Sequence, residues 1–170
     1  MTQVLWRHRR RSATRLAIVQ VLYQIEILDH PCETGISQFL AHQEGAIGFD
    51  EKSYGIDDEL FARIVVRVTQ DCSLLDTHIA GVLSDEWSMD RLGGTMRAVL
   101  RAACYELVSC LEVPARVVIK EYVDIARGFH DLEETGFVNA ALDRLARALR
   151  TQEMKSDRSK KEPGADAAIG

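Results

Sequence analysis

The sequence predicts an all-α fold, a bundle of helices, from two observations. Apolar residues recur three and four positions apart along most of the chain, which is the spacing of one face of an α-helix. The alternation of apolar and polar residues that is typical of a half-buried strand is almost absent, and only residues 115–119 have weak strand character. The sequence contains no pair of segments that predicts a β-hairpin.

The first helix is predicted around residues 16–28, where ten of thirteen residues are apolar. A helix that is apolar nearly all round lies inside a bundle rather than on its surface. It ends before Pro31, because proline cannot continue a helix. Residues 34–42 are predicted to form a short helix, and residues 45–55 a loop.

Four apolar stripes predict the remaining helices. A helix bent near Cys72, with Asp57 or Asp58 as its N-cap, carries Leu60, Ile64, Val68, Leu75, Ile79 and Val82. The helix after the Gly93-Gly94-Thr95 turn carries Met96, Leu100, Ala103, Leu107 and Leu111. Pro114 suits the first turn of the next helix, which carries Val118, Tyr122, Ile125 and Phe129. The last helix begins near Thr135 and carries Val138, Ala141, Leu142, Leu145 and Leu149.

Length and composition indicate one soluble domain. The 170 residues are enough to bury a real core. The contents of 46% hydrophobic and 28% charged residues are near globular averages, which excludes a wholly disordered or fibrous protein. No run approaches the ~18 apolar residues of a membrane span, and no cleavable signal peptide is recognised, so we expect a cytoplasmic protein. Its cysteines are then expected to be reduced and mostly buried: Cys32, Cys72, Cys104 and Cys110.

Charge divides the chain into a basic beginning and an acidic body. Residues 1–16 hold five arginines and no acid, whereas the rest carries a formal charge of −10, for −5 overall. Residues 151–170 hold four basic and four acidic residues and few apolar ones, which predicts disorder. We therefore expect a basic extension over residues 1–8, a helical domain over residues 9–150, and a disordered charged tail over residues 151–170.

Motifs that carry catalysis are absent from the sequence. It contains no His-Glu-x-x-His zinc helix, no glycine-rich nucleotide loop after a strand, and no Gly-x-Ser-x-Gly nucleophile elbow. The cysteines lack the spacing of a zinc site, and buried thiols are favoured over a cysteine nucleophile. A charged helix surface explains the many carboxylates. We expect a protein that is not an enzyme and that uses no cofactor and no metal.

The first functional candidate is the arginine segment, which comprises Arg7, Arg9, Arg10, Arg11 and Arg15. A guanidinium presents a planar fork of donors that matches phosphate oxygens. Cations at the start of a helix oppose its dipole, so stability alone does not explain them. Phosphate binding is favoured over a solubilising tail and over an arginine-rich transit peptide. These residues do not distinguish RNA from DNA.

Four runs, in order, resemble the bacterial transcription antitermination factor NusB family. They are RSATRLAIVQVLYQIEI (11–27), WSMDRLGGTMRAVLRAACYEL (87–107), VPARVVIKEYVDIARGF (113–129) and GFVNAALDRLA (136–146). The similarity covers about residues 9–150. Lys120 stands where the family usually has Asn, and Ala140 where it often has Gly.

The resemblance implies a fold and partners. NusB-like proteins have about seven helices in two small antiparallel subdomains and are not catalytic. They pair with ribosomal protein NusE, and the pair binds single-stranded boxA-type RNA in ribosomal operon leaders. Through other Nus factors, the assembly helps the RNA polymerase elongation complex resist termination. No membrane is involved.

The resemblance also implies RNA-binding residues. The family's basic residues correspond to Arg9, Arg10, Arg11 and Arg15, with Arg7 as an extension. Its RNA-facing aromatic residues correspond to Tyr23 and Phe137, with Glu133 in the loop just before. Aromatic faces stack on unpaired bases, although core packing is the competing explanation for both rings.

Two alternatives from other classes stay open. A NusB-like domain also precedes the catalytic domain of certain RNA cytosine methyltransferases, in which case this chain would be a detached RNA-binding domain. A helical protein–protein adaptor is the other alternative, with the arginines bound to an acidic partner. The sequence does not determine the oligomeric state, the RNA sequence bound, the helix faces that bind NusE, or the roles of Lys120 and the C-terminal tail.

Overall fold

The computed structural model describes residues 2–45, 55–84 and 87–161, and the side chains of residues 7–42, 55–84 and 87–156. These residues form eight α-helices and a 3-10 turn and contain no strand. The elements are α1 (Thr2–Leu28), α2 (Cys32–Gly45), α3 (Asp58–Gln70), α4 (Cys72–Ala80), the 3-10 turn (Met89–Arg91), α5 (Gly94–Ser109), α6 (Ala115–Ala126), α7 (Leu132–Leu149) and α8 (Thr151–Lys161). The all-α prediction is confirmed, and residues 115–119 open α6. Most of the predicted 45–55 loop lies outside the described residues.

Aspartate side chains cap two helices at their N-termini. The carboxylate of Asp57 accepts a hydrogen bond from the backbone N–H of Leu60 at 3.2 Å, at the start of α3. Asp131 accepts one from the N–H of Glu134 at 2.8 Å, at the start of α7. Each bond satisfies an N–H that has no partner within the helix. Helix α7 therefore begins one turn earlier than its apolar stripe predicts.

Helix α1 is longer than predicted and lies at the centre of the bundle. It begins at Thr2, so residues 2–8 continue the helix rather than forming a separate extension. At its other end Asp29 has a left-handed φ of 51°, and the N–H of His30 bonds to the carbonyl of Ile25 at 3.1 Å. This is the Schellman pattern of helix termination. Helix α1 contacts α2, α3, α5 and α6.

Helix α5 forms the middle of the core. All its residues from Met96 to Leu107 are buried except Arg97 and Arg101, which are half-buried. Helices α1, α2 and α3 pack against one another, α4, α6 and α7 contact α5, and the contact between α1 and α5 joins the two groups. Leu100 and Leu142 are fully buried, as their positions in the stripes predict.

Some residues of the predicted stripes are exposed because their helices end before them. Leu111 is 72% exposed, since α5 ends at Ser109. Phe129 is 47% exposed, since α6 ends at Ala126. The first helix also exposes part of its apolar surface, including Leu16. The periodicity of apolar residues predicts which face of a helix is buried. It does not predict where the helix ends, so residues after the end are wrongly assigned to the buried face.

The prediction of a disordered tail from residue 151 was wrong for residues 151–161, which form α8. Met154 is buried in the core, and the carboxylate of Glu153 accepts a hydrogen bond from the backbone N–H of Ala115 at 2.7 Å. The composition of the segment does not predict this helix. Helix α8 follows α7 directly and so lies beside the core, where the burial of Met154 and the hydrogen bond of Glu153 hold it. Residues 162–170 lie outside the described part of the chain.

Candidate nucleic-acid interface

The N-terminal half of α1 presents most of the arginine segment to solvent. Arg7, Arg9 and Arg11 are exposed on the helix surface. Arg10 is half-buried, and its Nε and Nη2 donate to the carbonyl of Ile56 at 3.1 and 2.9 Å. The exposed guanidinium groups can meet phosphate oxygens without breaking a contact in the core. Arg10 also ties α1 to the residues that precede α3.

The prediction that Arg15 contacts RNA was wrong, because its side chain is 3% exposed. Its Nε and Nη2 donate to the two carboxylate oxygens of Glu106, both at 2.8 Å, and its Nη1 lies 3.4 Å from Glu121. Tyr122 donates its hydroxyl to Glu106 at 2.8 Å. A bidentate pair of this kind leaves the guanidinium no surface for a phosphate.

The charges in this buried cluster support one another. Burial alone lowers the pKa of Arg15, but the hydrogen bond and the charge of Glu106 outweigh it and raise the pKa. Burial, followed by the charge of Glu106, raises the pKa of Tyr122 well above its ordinary value. Arg15 and the phenol of Tyr122 thus both stay protonated, and their bonds to Glu106 join α1, α5 and α6.

Tyr23 lies on the exposed side of α1, as a base-stacking residue requires. Its side chain is 38% exposed and borders a groove of about 510 Å³. One edge of the ring lies against Gly94, where an added Cβ atom would be 3.1 Å from Tyr23 Cε2. The glycine thus allows the start of α5 to approach the ring closely.

Phe137 is half-buried and packs against Trp87, with ring centroids 4.4 Å apart. One side of the phenylalanine is therefore occupied by another aromatic ring. Glu133 is exposed four residues earlier, on the same face of α7. The contact with Trp87 supports core packing as one explanation for Phe137, and RNA stacking stays a prediction.

The segment from Trp87 to Gly94 contacts both predicted RNA aromatics. Trp87 contacts Phe137 at one end, and Gly94 contacts Tyr23 at the other. The segment is held by Arg97, whose Nη1 donates to the carbonyl oxygens of Met89, at 3.4 Å, and Leu92.

A second ionic cluster anchors Arg97 in turn. Arg97 pairs with Glu26, and Arg101 bridges Glu26 and Asp76, with both of its contacts at 2.7 Å. The cluster links α1, α4 and α5. Neither Trp87 nor Arg97 was predicted from the sequence as part of this site; a tryptophan shortly before the Gly93-Gly94 turn was the available signal.

The described residues offer little for other chemistry. Among them, no group of His, Cys, Asp or Glu side chains is arranged to hold a metal ion. Burial raises the pKa of the Cys72, Cys104 and Cys110 thiols, that of Cys104 to about 12. Protonated thiols are poor nucleophiles. None of the helices that the structure describes combines the length and the apolar composition that crossing a membrane requires.

Fold and surface define a class: an all-helical bundle with a buried arginine–glutamate pair at its centre and an exposed basic end on its first helix. The NusB family model matches residues 12–147. The chain belongs to the NusB family. The matched range begins after Arg11, so it does not include the exposed arginines at the start of α1.

Relatives and solved structures agree with this assignment. The chain is 40% identical over 147 residues to the transcription antitermination protein NusB of Maricaulis maris, a match that covers 86% of this chain and 92% of the relative. It is 42% identical over 144 residues to the protein of the same name from Nitrobacter hamburgensis, with 85% and 90% covered.

Two solved structures have the same fold. NusB of T. maritima superposes with a TM-score of 0.70 at 29% identity, with 85% of this chain and 96% of that chain covered. A complex described as antitermination factors NusB and NusE with dsRNA gives a TM-score of 0.68 at 22% identity, with 82% and 98% covered.

Proposed function

We propose that this protein is a cytoplasmic, non-enzymatic transcription antitermination factor. It binds boxA-type leader RNA of ribosomal operons together with ribosomal protein NusE, and through other Nus factors it helps RNA polymerase resist termination. Membership of the NusB family, whose curated relatives carry the antitermination name, supports this role. The exposed arginines at the start of α1 are the observation that carries the RNA-binding proposal.

The proposed RNA site combines cations and aromatic rings. Its residues are Arg7, Arg9, Arg10, Arg11, Tyr23, Glu133 and Phe137, without Arg15. The arginines contact phosphates, which position the strand, and the rings contact bases, which carry the sequence. Because the chain beyond the arginines has a net charge of −10, phosphate attraction is confined to this end of α1. A basic partner such as NusE extends the attractive surface.

The test replaces Arg7, Arg9 and Arg11 together with glutamine and follows affinity for a single-stranded leader RNA by anisotropy at several salt concentrations. Each phosphate contact adds roughly 0.7 to the slope of log affinity against log salt, so the slope should fall by about 2. Matched and scrambled RNA should weaken almost equally, since phosphate contacts carry no direct sequence information.

A matched control removes the same charge elsewhere, with glutamine at Arg116, Arg144 and Arg147 of α6 and α7. This variant should keep the wild-type slope. An equal loss in both variants would mean that net charge, and not this end of α1, attracts RNA. Saturating NusE should raise the affinity of the wild-type protein for RNA more than tenfold. If the protein instead binds an acidic protein tightly and binds no RNA, the adaptor alternative is favoured.

A further inference from the structure

Phe129 is a large aromatic side chain that the fold leaves at the surface. It lies three residues after the end of α6 and is 47% exposed. Its stripe position predicts a core residue, yet the chain turns away from α6 before reaching it. Unlike Phe137, it has no described aromatic neighbour on its ring.

Two adjoining grooves meet at Phe129. One, of about 610 Å³, runs between α1 and α6 past Ser12, Leu16 and Lys120. The other, of about 510 Å³, continues past Tyr23 and Thr95. Gln20 and Phe129 border both. Each volume is in the range of sites that bind small organic groups, roughly 300–1,000 Å³.

The α1 side of these grooves continues from the arginine segment. Arg9, Leu16, Gln20 and Tyr23 are separated by seven, four and three residues, so they share one face of α1. All four are exposed. At 1.5 Å per residue, this face extends about 21 Å from the cationic end to the tyrosine. A ligand with anionic groups and aromatic rings fits this face, because its anions can meet the arginine end and its rings can meet Tyr23.

The interior of the grooves suits bases better than phosphates. Leu16 and Phe129 supply apolar surface, and the amide of Gln20 can hydrogen-bond a base edge. The two carboxylates that line the larger groove, those of Glu121 and Asp124, repel phosphates, and both are hydrogen-bonded or paired within the protein. Glu121 accepts from Ser12 at 2.6 Å.

The other acid of the groove, Asp124, is bonded in the same way. It pairs with Lys120 at 2.7 Å and with Arg127 at 2.8 Å. A strand bound here would therefore direct its bases inward and its phosphates toward solvent and the exposed arginines.

We propose that the grooves between α1 and α6 bind the bases of single-stranded RNA and that Phe129 stacks on one of them, together with Tyr23. This inference rests on the proposed function and extends its site to a residue outside the set named above. Phosphates of the same strand contact Arg9 at the start of α1.

The test uses Phe129→Ala and Phe129→Leu with the same leader RNA, substituted with 2-aminopurine at one position at a time. Stacking contributes enough that Phe129→Ala should weaken binding by about 5- to 150-fold, with the salt slope unchanged. Phe129→Leu, which keeps an apolar side chain but no ring, should weaken it at least fivefold. Wild-type protein should quench 2-aminopurine at one position, and both variants should abolish that quenching.

The matched control is Leu132→Ala, which removes an apolar side chain that is 89% exposed and does not line either groove. It should bind as wild type, and circular dichroism should show unchanged folding for all three variants. Wild-type affinity in Phe129→Leu would overturn stacking. A Phe129→Ala variant that binds RNA normally but alters the sedimenting mass would make the groove a contact between copies of this chain.

The outcomes separate this inference from the proposed function. If the arginine variant loses its salt slope while Phe129→Ala binds normally, the function stands and the groove assignment fails. If the wild-type protein binds no single-stranded RNA with or without NusE, both fail.

Discussion

Replacing Arg150 with alanine is expected to remove about 3–5 kcal/mol from the free energy of unfolding. The side chain is 4% exposed and lies where α7 meets α8. Its guanidinium donates to four backbone carbonyls at and after the end of α5: Glu106 (2.8 Å), Leu107 (2.7 Å), Cys110 (2.9 Å) and Val113 (2.6 Å). One side chain thus completes the termination of the central helix.

The carbonyls of Glu106 and Cys110 keep a second donor at 3.0 Å, namely the backbone N–H groups of Cys110 and Val113. The magnitude therefore follows mainly from the carbonyls of Leu107 and Val113. A buried acceptor without a partner costs roughly 1–3 kcal/mol, and the losses are not additive for neighbours in one network. Water can reach some carbonyls at a helix end, which lowers the total. Arg150→Met, which keeps the apolar length of the side chain without its donors, should lose nearly as much as Arg150→Ala. The difference in unfolding free energy between these two variants measures the cost of the cavity alone.

The measurement is urea unfolding, followed by circular dichroism and compared at equal m-value. Arg147→Ala is the control, because Arg147 is 49% exposed and pairs only on the surface with Asp143 at 2.6 Å. Such a pair contributes roughly 0.2–1 kcal/mol. If Arg150→Ala and Arg147→Ala unfold at the same urea concentration, the carbonyl contacts do not stabilise the fold and the reasoning is refuted.

Two further predictions concern buried ionisable groups. Glu106→Gln should lower the free energy of unfolding by roughly 3–5 kcal/mol, because it leaves the charge of Arg15 buried without its carboxylate. Glu121→Gln should lower it clearly less, because the contact of Glu121 with Arg15 is longer, at 3.4 Å. Equal urea midpoints for the two variants would contradict this. Because burial raises the pKa of Cys104 from 9.0 to about 12, its thiol contributes stability that is fully present below about pH 9 and is lost as pH rises toward 12. The stability difference between wild type and Cys104→Ala should therefore shrink between pH 8 and pH 11, and a constant difference would show that the thiol does not titrate in the unfolded state as assumed.

Local features of the sequence predicted most of the helices. The stripes of α5 and α7 identified Leu100 and Leu142 as core residues, and both are fully buried. Asp57 was predicted as a cap and accepts the Leu60 N–H. These features depend on hydrogen bonds and side-chain positions within about one helical turn, so they can be inferred from adjacent residues.

The candidate site was predictable only in part. The exposed Arg9 and Arg11 follow from the run of basic residues near the start of the chain. Arg15 belongs to the same run, yet it is buried, because Glu106 faces it from a position 91 residues away. No local pattern indicates that pair. The sequence likewise did not indicate that the ring of Phe137 packs on Trp87.

The sequence by itself thus determined most of the helices, the basic start of α1 and, through its motifs, the family. The tertiary structure alone decided which arginines remain available, which aromatic rings stay exposed, and where the ordered chain continues after Arg150. The physical reason is the range of the interactions. Helix formation and capping act over three or four residues, whereas the burial of a charge or a ring depends on which distant helix packs against it.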